Sequence, residues 1–353
     1  MDNNRKTSLL DYKHPDIEVH PFNTKGFETE LSPYFGNEKH GYQPAVNTGI
    51  AAHSSIYPEQ RILLSHFLCH MLYPEKLIDD FLLSALNEDV GEGDHTTLAT
   101  IPAYAIGRAR LLIKDHGILA GVEIAKRVFH LVDPSLIVEI LLTDGRAVGP
   151  GDVAFVVSGS ARSITTGERL SLNIMQRMSG IASKTNRVQQ LLAGTKCKVL
   201  DTRKTTPGFR HFEKLAVKIG GGENHRFGLY DMILVKDNHI DYAGGVVPAL
   251  QQVKKYLDDT RINLKVEVEA RSLEEVKMIL REEIAFRILL DNFLLPDLKQ
   301  AVHYIDGRTQ TEASGGITEE NVRDYALCGV DFISMGALTH SAQSLDMSLK
   351  AVK

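Results

Sequence analysis

The chain has 353 residues, a formal net charge of −5 and a hydrophobic content of 43%, which suits two domains or one large α/β domain with an appendage. No apolar run reaches the 18 residues of a membrane-spanning helix, and an acidic balance argues against general nucleic-acid binding. Cys69, Cys197 and Cys328 are too few and too dispersed for a disulfide framework or a CxxC metal site, and point to a reducing, cytoplasmic setting.

Residues 1–73 form an irregular extension in which Pro, Gly and Asn recur every few positions. The first 60 residues hold eight acids against five Lys or Arg, which fits neither a secretory signal nor a transit peptide. Phe22, Phe27, Tyr34 and Phe35 are candidate anchors to the body. His66 and His70 stand at i, i+4 within an apolar run, but no Glu beside them makes a zinc-protease pattern, so the spacing reads as a half-buried helix face.

Residues 74–168 read as an α+β sandwich domain. EKLIDDFLLSALNEDV puts Leu77, Ile78, Phe81, Leu82, Ala85 and Leu86 on one helical stripe, and GEGDHTTLATIP breaks it. AIGRARLLIKDHGILAG, SLIVEILL and DVAFVVSGSARSI read as strands around the short helix VEIAKRVFHLV. A long helix then spans Glu168 to Leu192, with Leu170, Ile174, Met178 and Ile181 near helical spacing.

From residue 169 to 338 the rhythm is strand, polar or glycine-rich turn, helix. CKVL, MILV, LKVEV, FRILL, TQTEA and VDFIS supply six strands, which predicts parallel pairing with crossover helices. Either an open β/α barrel or a doubly wound sheet would satisfy that pattern. Charged or glycine-rich residues follow every strand: Arg203–Lys204, Lys236, Glu269, Asp291, Ser314–Gly315–Gly316 and Gly336. A barrel gathers all those ends on one face, whereas a doubly wound sheet uses mainly those at one switch point, so the barrel is favoured. Residues 339–353 are expected to pack back on the N-terminal domain.

Asp201 to His239 concentrates Arg203, Lys204, His211, Lys214, Lys218, His225, Arg226, Lys236 and His239 around few acids. Arg203, Lys204, Arg226 and Lys236, at the same ends of neighbouring strands, would repel one another unless an anion is shared among them; the Arg fork suits a carboxylate. SGGI (Ser314–Ile317), running into a helix expected near Thr318, and SMGALTHS (Ser334–Ser341) are candidate phosphate cradles. There is no P-loop or dinucleotide fingerprint. Glu267 and Glu269 alternate on a strand and face the barrel interior, where a salt bridge to Lys204 or Lys236 would satisfy them. Asp291 adds a second acid to Glu269 beside the phosphate turns, a pair suited to Mg²⁺ held largely through water and substrate. No Ser-His-Asp or Cys-His arrangement is evident, which leaves positioning and electrostatics to drive the chemistry.

DTRKTTPGFR, GGGENHRFGLYDMILVKDNHI, VEVEARSLEE, LLDNF, EASGGI and DFISMGALTHS, with EDVGEGDHTT and TGERLSLNIMQRMSGIA upstream, closely resemble the quinolinate phosphoribosyltransferases. The resemblance runs from about residue 75 to 350. It implies an N-terminal α/β sandwich joined to an open β/α barrel of the type II phosphoribosyltransferase kind. The implied reaction turns quinolinate and phosphoribosyl pyrophosphate into nicotinate mononucleotide, pyrophosphate and CO₂, for NAD synthesis. It implies Arg203, His225, Arg226 and Lys236 around the quinolinate carboxylates and Lys204 between the two substrates. Glu269 and Asp291 would face the ribose and Mg²⁺. Ser314, Gly315, Gly316, Ser334, Gly336 and His340 would line the phosphate end, and Lys204, Glu269 and Asp291 would be catalytic. Arg169 would reach a partner's site in a homodimer with shared active sites, or in a larger oligomer built from such dimers. Arg271, where the family more often has an acid, and the N-terminal extension depart from the pattern.

Overall fold

The structure is a computed structural model that describes residues 75–352. The expectations for residues 1–73, including the aromatic anchors and the His66–His70 pair, lie outside the described residues.

Helix α1 (Glu75–Val90) buries Ile78, Leu82 and Leu86, one residue per turn. Leu77 is exposed, one step off that stripe. Phe81 lies between the buried row and solvent, its ring 5.8 Å from Phe209 and 5.1 Å from Phe212. The expected break after it holds a one-turn helix, α2 (His95–Thr100), because Asp94 caps the Thr97 N–H at 3.0 Å.

An antiparallel sheet follows, built from β1 (Ile106–Ile113), β3 (Ile137–Ile140), β5 (Val153–Ser160) and β12 (Met347–Ala351) in the order β12-β1-β5-β3. A small ribbon pairs β2 (Gly117–Ile118) with β4 (Ala147–Val148). In β1 the period-2 pattern buries Ala109, Leu111 and Ile113. Helix α3 (Val122–Val132) covers that face with Phe129, which meets Phe155 edge-on at 5.9 Å. The chain's end returns to this sheet, with Ala351 opposite Ala109 and Met347 opposite Ile113.

Helix α4 (Ala161–Leu191) begins earlier than the sequence suggests, because Ser160 ends β5 and caps the Ser163 N–H. The stretch SARSI therefore turns straight from strand into helix. Leu172 and Met175 on α4 join the core of the antiparallel sheet, while Ile174, Met178 and Ile181 join the second core.

That second core fills a six-stranded parallel sheet of β6 (Lys198–Leu200), β7 (Ile233–Val235), β8 (Val266–Ala270), β9 (Arg287–Asp291), β10 (Gln310–Ser314) and β11 (Phe332–Ser334). Its order is β6-β11-β10-β9-β8-β7. The first strand thus lies beside the last, and the rest follow in sequence. That cyclic order belongs to a barrel; a doubly wound sheet reverses direction midway. The ring is open between β6 and β7, where a single bridge joins Leu200 to Glu223. Helices α5 (Arg210–Ile219), α6 (Asp237–Ala243), α7 (Val246–Thr260), α8 (Leu273–Arg281), α9 (Leu295–Ile305), α10 (Val322–Leu327) and α11 (Ala337–His340) connect the strands. Helix α10 starts at Val322 rather than near Thr318, because Asn321 Oδ1 accepts from the Thr318 N–H at 2.8 Å and turns the intervening residues into a loop. Among the described residues no helix is long and apolar enough to cross a membrane.

Candidate active site

The sequence-predicted residues follow their strands onto one rim. Arg203 and Lys204 leave β6, Lys236 leaves β7, Glu269 is the penultimate residue of β8 and Asp291 ends β9. Asp291 is the register partner of Ser314 across β9 and β10, which places the acid beside the first glycine turn.

Neighbours around the rim then link up in turn. The charge of Arg203 is close enough to lower the basicity of Arg226, after the larger effect of burial. One Arg226 nitrogen, Nη1, donates to the Met232 carbonyl at 3.1 Å and fixes the guanidinium. Lys236 Nζ lies 3.5 Å from Glu269 Oε2. Burial raises the Glu269 pKa, Lys236 opposes that rise, and the charge of Asp291 adds to it. The pair Glu269–Lys236 is thus the salt bridge foreseen for the inward acids.

The glycine turns close the ring. At Gly315 (φ +97) a Cβ would lie 2.1 Å from Asn292 Oδ1, and Asn292 in turn donates to Asp291 Oδ2 at 2.5 Å. Only glycine lets β10 pass so near the residue after Asp291. At Gly336 a Cβ would come within 2.8 Å of Lys204 Cδ and 3.2 Å of the His340 ring. The Lys204 stem and His340 therefore meet across this glycine. The N–H groups of Gly315, Gly316 and Gly336 donate to no protein acceptor among the described residues, so they are available to an anion.

His225 has a different neighbourhood from the cations it was grouped with. Its Nδ1 accepts the Arg226 N–H at 2.8 Å, which puts the ring proton on Nε2, 2.9 Å from Glu267 Oε2. Burial pushes its pKa down, in keeping with a neutral ring. Below it Glu267 and Glu312 are fully buried, with Arg287 Nη1 2.9 Å from Glu312 and 3.8 Å from Glu267. The Glu267 oxygens receive no well-aligned hydrogen bond, so these contacts are mainly electrostatic. Burial, followed by the charge of Glu267, raises Glu312 to about 7. Ser334 is also buried and its hydroxyl serves Glu312, beneath the rim instead of on it. His225, Glu267 and Glu312 are the one three-ligand cluster of metal-binding type among the described residues, and Arg287 supplies its positive charge.

Four further basic residues of the Asp201–His239 stretch are structural. Helix α5 buries Lys214, whose Nζ lies 2.5 Å from the fully buried Asp201 and also donates to the His225 carbonyl. Asp201 accepts in addition from Asn224 Nδ2 and from the His225 N–H, and so clamps the segment carrying His225 and Arg226. Lys218 pairs with Glu223 at 2.7 Å, and burial lowers His211 to about 4. His239 accepts the Lys236 N–H through Nδ1, closing the start of α6. Asp201, Glu213, Arg177, Arg287 and Glu312 were not singled out from the sequence. Arg271 points away from Glu269: it pairs with Asp241 at 3.0 Å and Glu275 at 2.8 Å, tying α6 to α8. Arg169 is exposed on α4 and makes no contact with the rim among the described residues.

Comparison with known proteins agrees with this geometry. Residues 94–179 match the N-terminal domain and residues 181–350 the C-terminal domain of quinolinate phosphoribosyl transferase. The chain belongs to that family. It is 48% identical to a chloroplastic nicotinate-nucleotide pyrophosphorylase (carboxylating) of Arabidopsis thaliana, over 75% of this chain and 80% of the relative. It is 45% identical to a mitochondrial quinolinate phosphoribosyltransferase (decarboxylating) of Nicotiana tabacum, over 79% and 83% of the two chains. The crystal structure of NadC from Streptococcus pyogenes superposes with a TM-score of 0.75 at 40% identity, covering 80% of this chain and 99% of that one. Human nicotinic acid phosphoribosyltransferase, at 13% identity and a TM-score of 0.52, shares the fold alone.

Proposed function

We propose that the protein transfers a phosphoribosyl group from phosphoribosyl pyrophosphate to quinolinate and releases pyrophosphate and CO₂, giving nicotinate mononucleotide for NAD synthesis. The observation that carries this is the division of the rim. The Arg203 charge bears on Arg226, and Lys236, 3.5 Å from Glu269, marks the border between these cations and the acids Glu269 and Asp291; the like charges call for a dicarboxylate. Mere anion binding would be weakened by those acids, whereas a positively charged transition state is favoured by them.

Breaking the ribose–pyrophosphate bond sends its electron pair to the departing pyrophosphate and leaves an oxocarbenium-like ribose. Glu269 and Asp291 stabilise that charge. Lys204, its stem against Gly336, serves the leaving phosphates. The pyridine nitrogen of quinolinate attacks with its lone pair, so no general base is required. Once quaternised, the ring accepts the electron pair freed when the adjacent carboxylate leaves as CO₂, and a proton completes the product. Arg203, Arg226 and Lys236 orient the carboxylates, and neutral His225 positions Arg226. Ser314, Gly315, Gly316, Gly336 and His340 hold the 5′-phosphate.

Glu269 and Asp291 fit Mg²⁺: one buried and one half-buried acid, too few for a cage, would suit an ion that keeps its waters. When bound there, it neutralises pyrophosphate. The exposed Arg169 completes the site of a partner chain in a homodimer, and the cytoplasm is the working compartment. A mixture of Arg169→Ala and Lys204→Ala chains regains activity after subunit exchange if sites are shared; no recovery despite exchange removes the shared site.

The substrate test compares quinolinate with nicotinate, each with phosphoribosyl pyrophosphate and Mg²⁺. Turnover of quinolinate alone supports the proposal. Turnover of nicotinate alone assigns the related non-decarboxylating reaction.

A further inference from the structure

We infer that Arg177 and Glu213 form a positioning pair that couples the loop carrying Arg203 and Lys204 to the turn carrying Gly336 and His340, so that filling one side of the site raises affinity on the other. The inference rests on the functional reading above for the identity of the two ligands.

Glu213, on α5, is fully buried. Its Oε1 accepts from Arg177 Nε at 3.1 Å, from Arg177 Nη2 at 2.8 Å and from the Thr206 hydroxyl at 2.9 Å. Its Oε2 accepts the Thr206 N–H at 3.0 Å. One carboxylate thus fixes the loop two residues beyond Lys204. Arg177, on α4, turns the rest of its fork to the other side of the site: Nη1 donates to the Ala342 carbonyl at 3.0 Å and Nη2 to the Thr339 carbonyl. Thr339 is itself fully buried, and its hydroxyl donates back to the Lys204 carbonyl at 2.8 Å.

The contacts form a closed circuit: Lys204, Thr206, Glu213, Arg177, Thr339 and Lys204 again. The circuit lies below Gly336, over which the Lys204 stem passes. A phosphate drawn to the Gly336 turn therefore pulls on α11, and α11 is bonded directly to the Lys204 backbone and indirectly to Thr206. A dicarboxylate gripping Arg203 pulls on the same loop from the opposite end. Neither Arg177 nor Glu213 needs to touch substrate for this. An Arg that sets two N–H groups on one carboxylate oxygen and has two further carbonyl acceptors has few alternative arrangements, so displacement at one end is transmitted instead of absorbed.

The test titrates quinolinate into the full chain without and with saturating ribose 5-phosphate, which occupies the phosphate turn but has no pyrophosphate to lose. In the wild type ribose 5-phosphate tightens quinolinate by about fivefold or more, the range usual for coupled sites, and quinolinate tightens ribose 5-phosphate by the same factor. In Arg177→Lys and Glu213→Gln that ratio falls to near one, while quinolinate alone still binds. Thr339→Val, which removes one hydroxyl and no charge, lowers the ratio too and serves if the other two fail to fold. Wild-type chain that binds quinolinate with no effect of ribose 5-phosphate overturns the inference. So does a ratio that survives in the folded variants. Wild-type chain that does not bind quinolinate at all overturns the functional reading first.

Discussion

Asp201→Asn removes one charge from a pair that is out of reach of water. The carboxylate accepts from Lys214 Nζ at 2.5 Å, from Asn224 Nδ2 at 2.5 Å and from the His225 N–H at 2.9 Å. An asparagine keeps one acceptor oxygen but turns an NH₂ towards donors that are already in place. Burial lowers the pKa of Lys214, and the charge of Asp201 is the largest force opposing that. Breaking one side of a buried ion pair costs about 3–5 kcal/mol, and the surviving oxygen sets the expected loss at the lower end, about 3 kcal/mol. Lys214→Met leaves the buried Asp201 carboxylate two of its donors but no counter-charge and also costs about 3 kcal/mol. Because the residues touch, the double variant should lose about 1–3 kcal/mol less than the sum of the singles. Urea unfolding followed by circular dichroism near neutral pH measures the stabilities, and quinolinate titration of the folded variants measures the site. Affinity should fall at least tenfold in Asp201→Asn, since His225 and Arg226 lose their clamp. Additive stabilities, or an Asp201→Asn variant as stable as the wild type, would refute the reasoning.

Three further changes probe other parts of the site. Lys236→Met removes one acceptor-side cation and should cut kcat/KM for quinolinate by roughly 1.5–3 kcal/mol, with the KM for phosphoribosyl pyrophosphate little changed; equal loss for both substrates in steady-state kinetics would misplace Lys236. Gly315→Ala drives a methyl into Asn292 beside Asp291 at a left-handed φ, and should lower kcat/KM about a hundredfold, as misplacement by an ångström does, while costing roughly 1 kcal/mol or more of stability in urea unfolding. Glu312 is raised from 4.5 to about 7 in the folded chain, so its contribution is complete below 4.5 and is lost as pH rises through about 7. That shift corresponds to a few kcal/mol at most, about 3, and Glu312→Gln should flatten the decline in urea resistance across this window. An unchanged pH slope in the variant would show that Glu312 does not carry the proton.

The sequence made the rim legible and left its supports hidden. Arg203, Lys236, Asp291 and Ser314 could be placed because each stands at or just past the C-terminal end of a strand, and a parallel barrel gathers those ends on one face. Helix α5 was not visible as a helix, since its Arg, His and Lys residues read as part of a basic binding stretch. The signal was present nonetheless: Phe212, Ala216 and Ile219 keep helical spacing and a glycine run follows. Charge alone could not show that Lys214 and Lys218 turn to Asp201 and Glu223, because those partners meet only after the chain folds. His225 was misgrouped for a related reason. In an irregular segment no period tells which way a side chain points, and here the ring turns inward to Glu267. Glu312 alternates with Thr311 and Ala313 on TQTEAS, but all three are buried, so the period alone does not show which of them faces the interior. Arg177 and Glu213 lie 36 positions apart, and neither helix alone hints at the other.

The central claim is that one rim holds a dicarboxylate and a phosphoribosyl donor and couples transfer to decarboxylation. Quinolinate labelled in the carboxylate next to the ring nitrogen, incubated with the full chain, phosphoribosyl pyrophosphate and Mg²⁺, tests it most directly. Labelled CO₂ and nicotinate mononucleotide are expected in equal amounts, with neither formed when the donor is omitted. Labelled CO₂ without the donor, a mononucleotide that retains the label, or no product under any condition would contradict it.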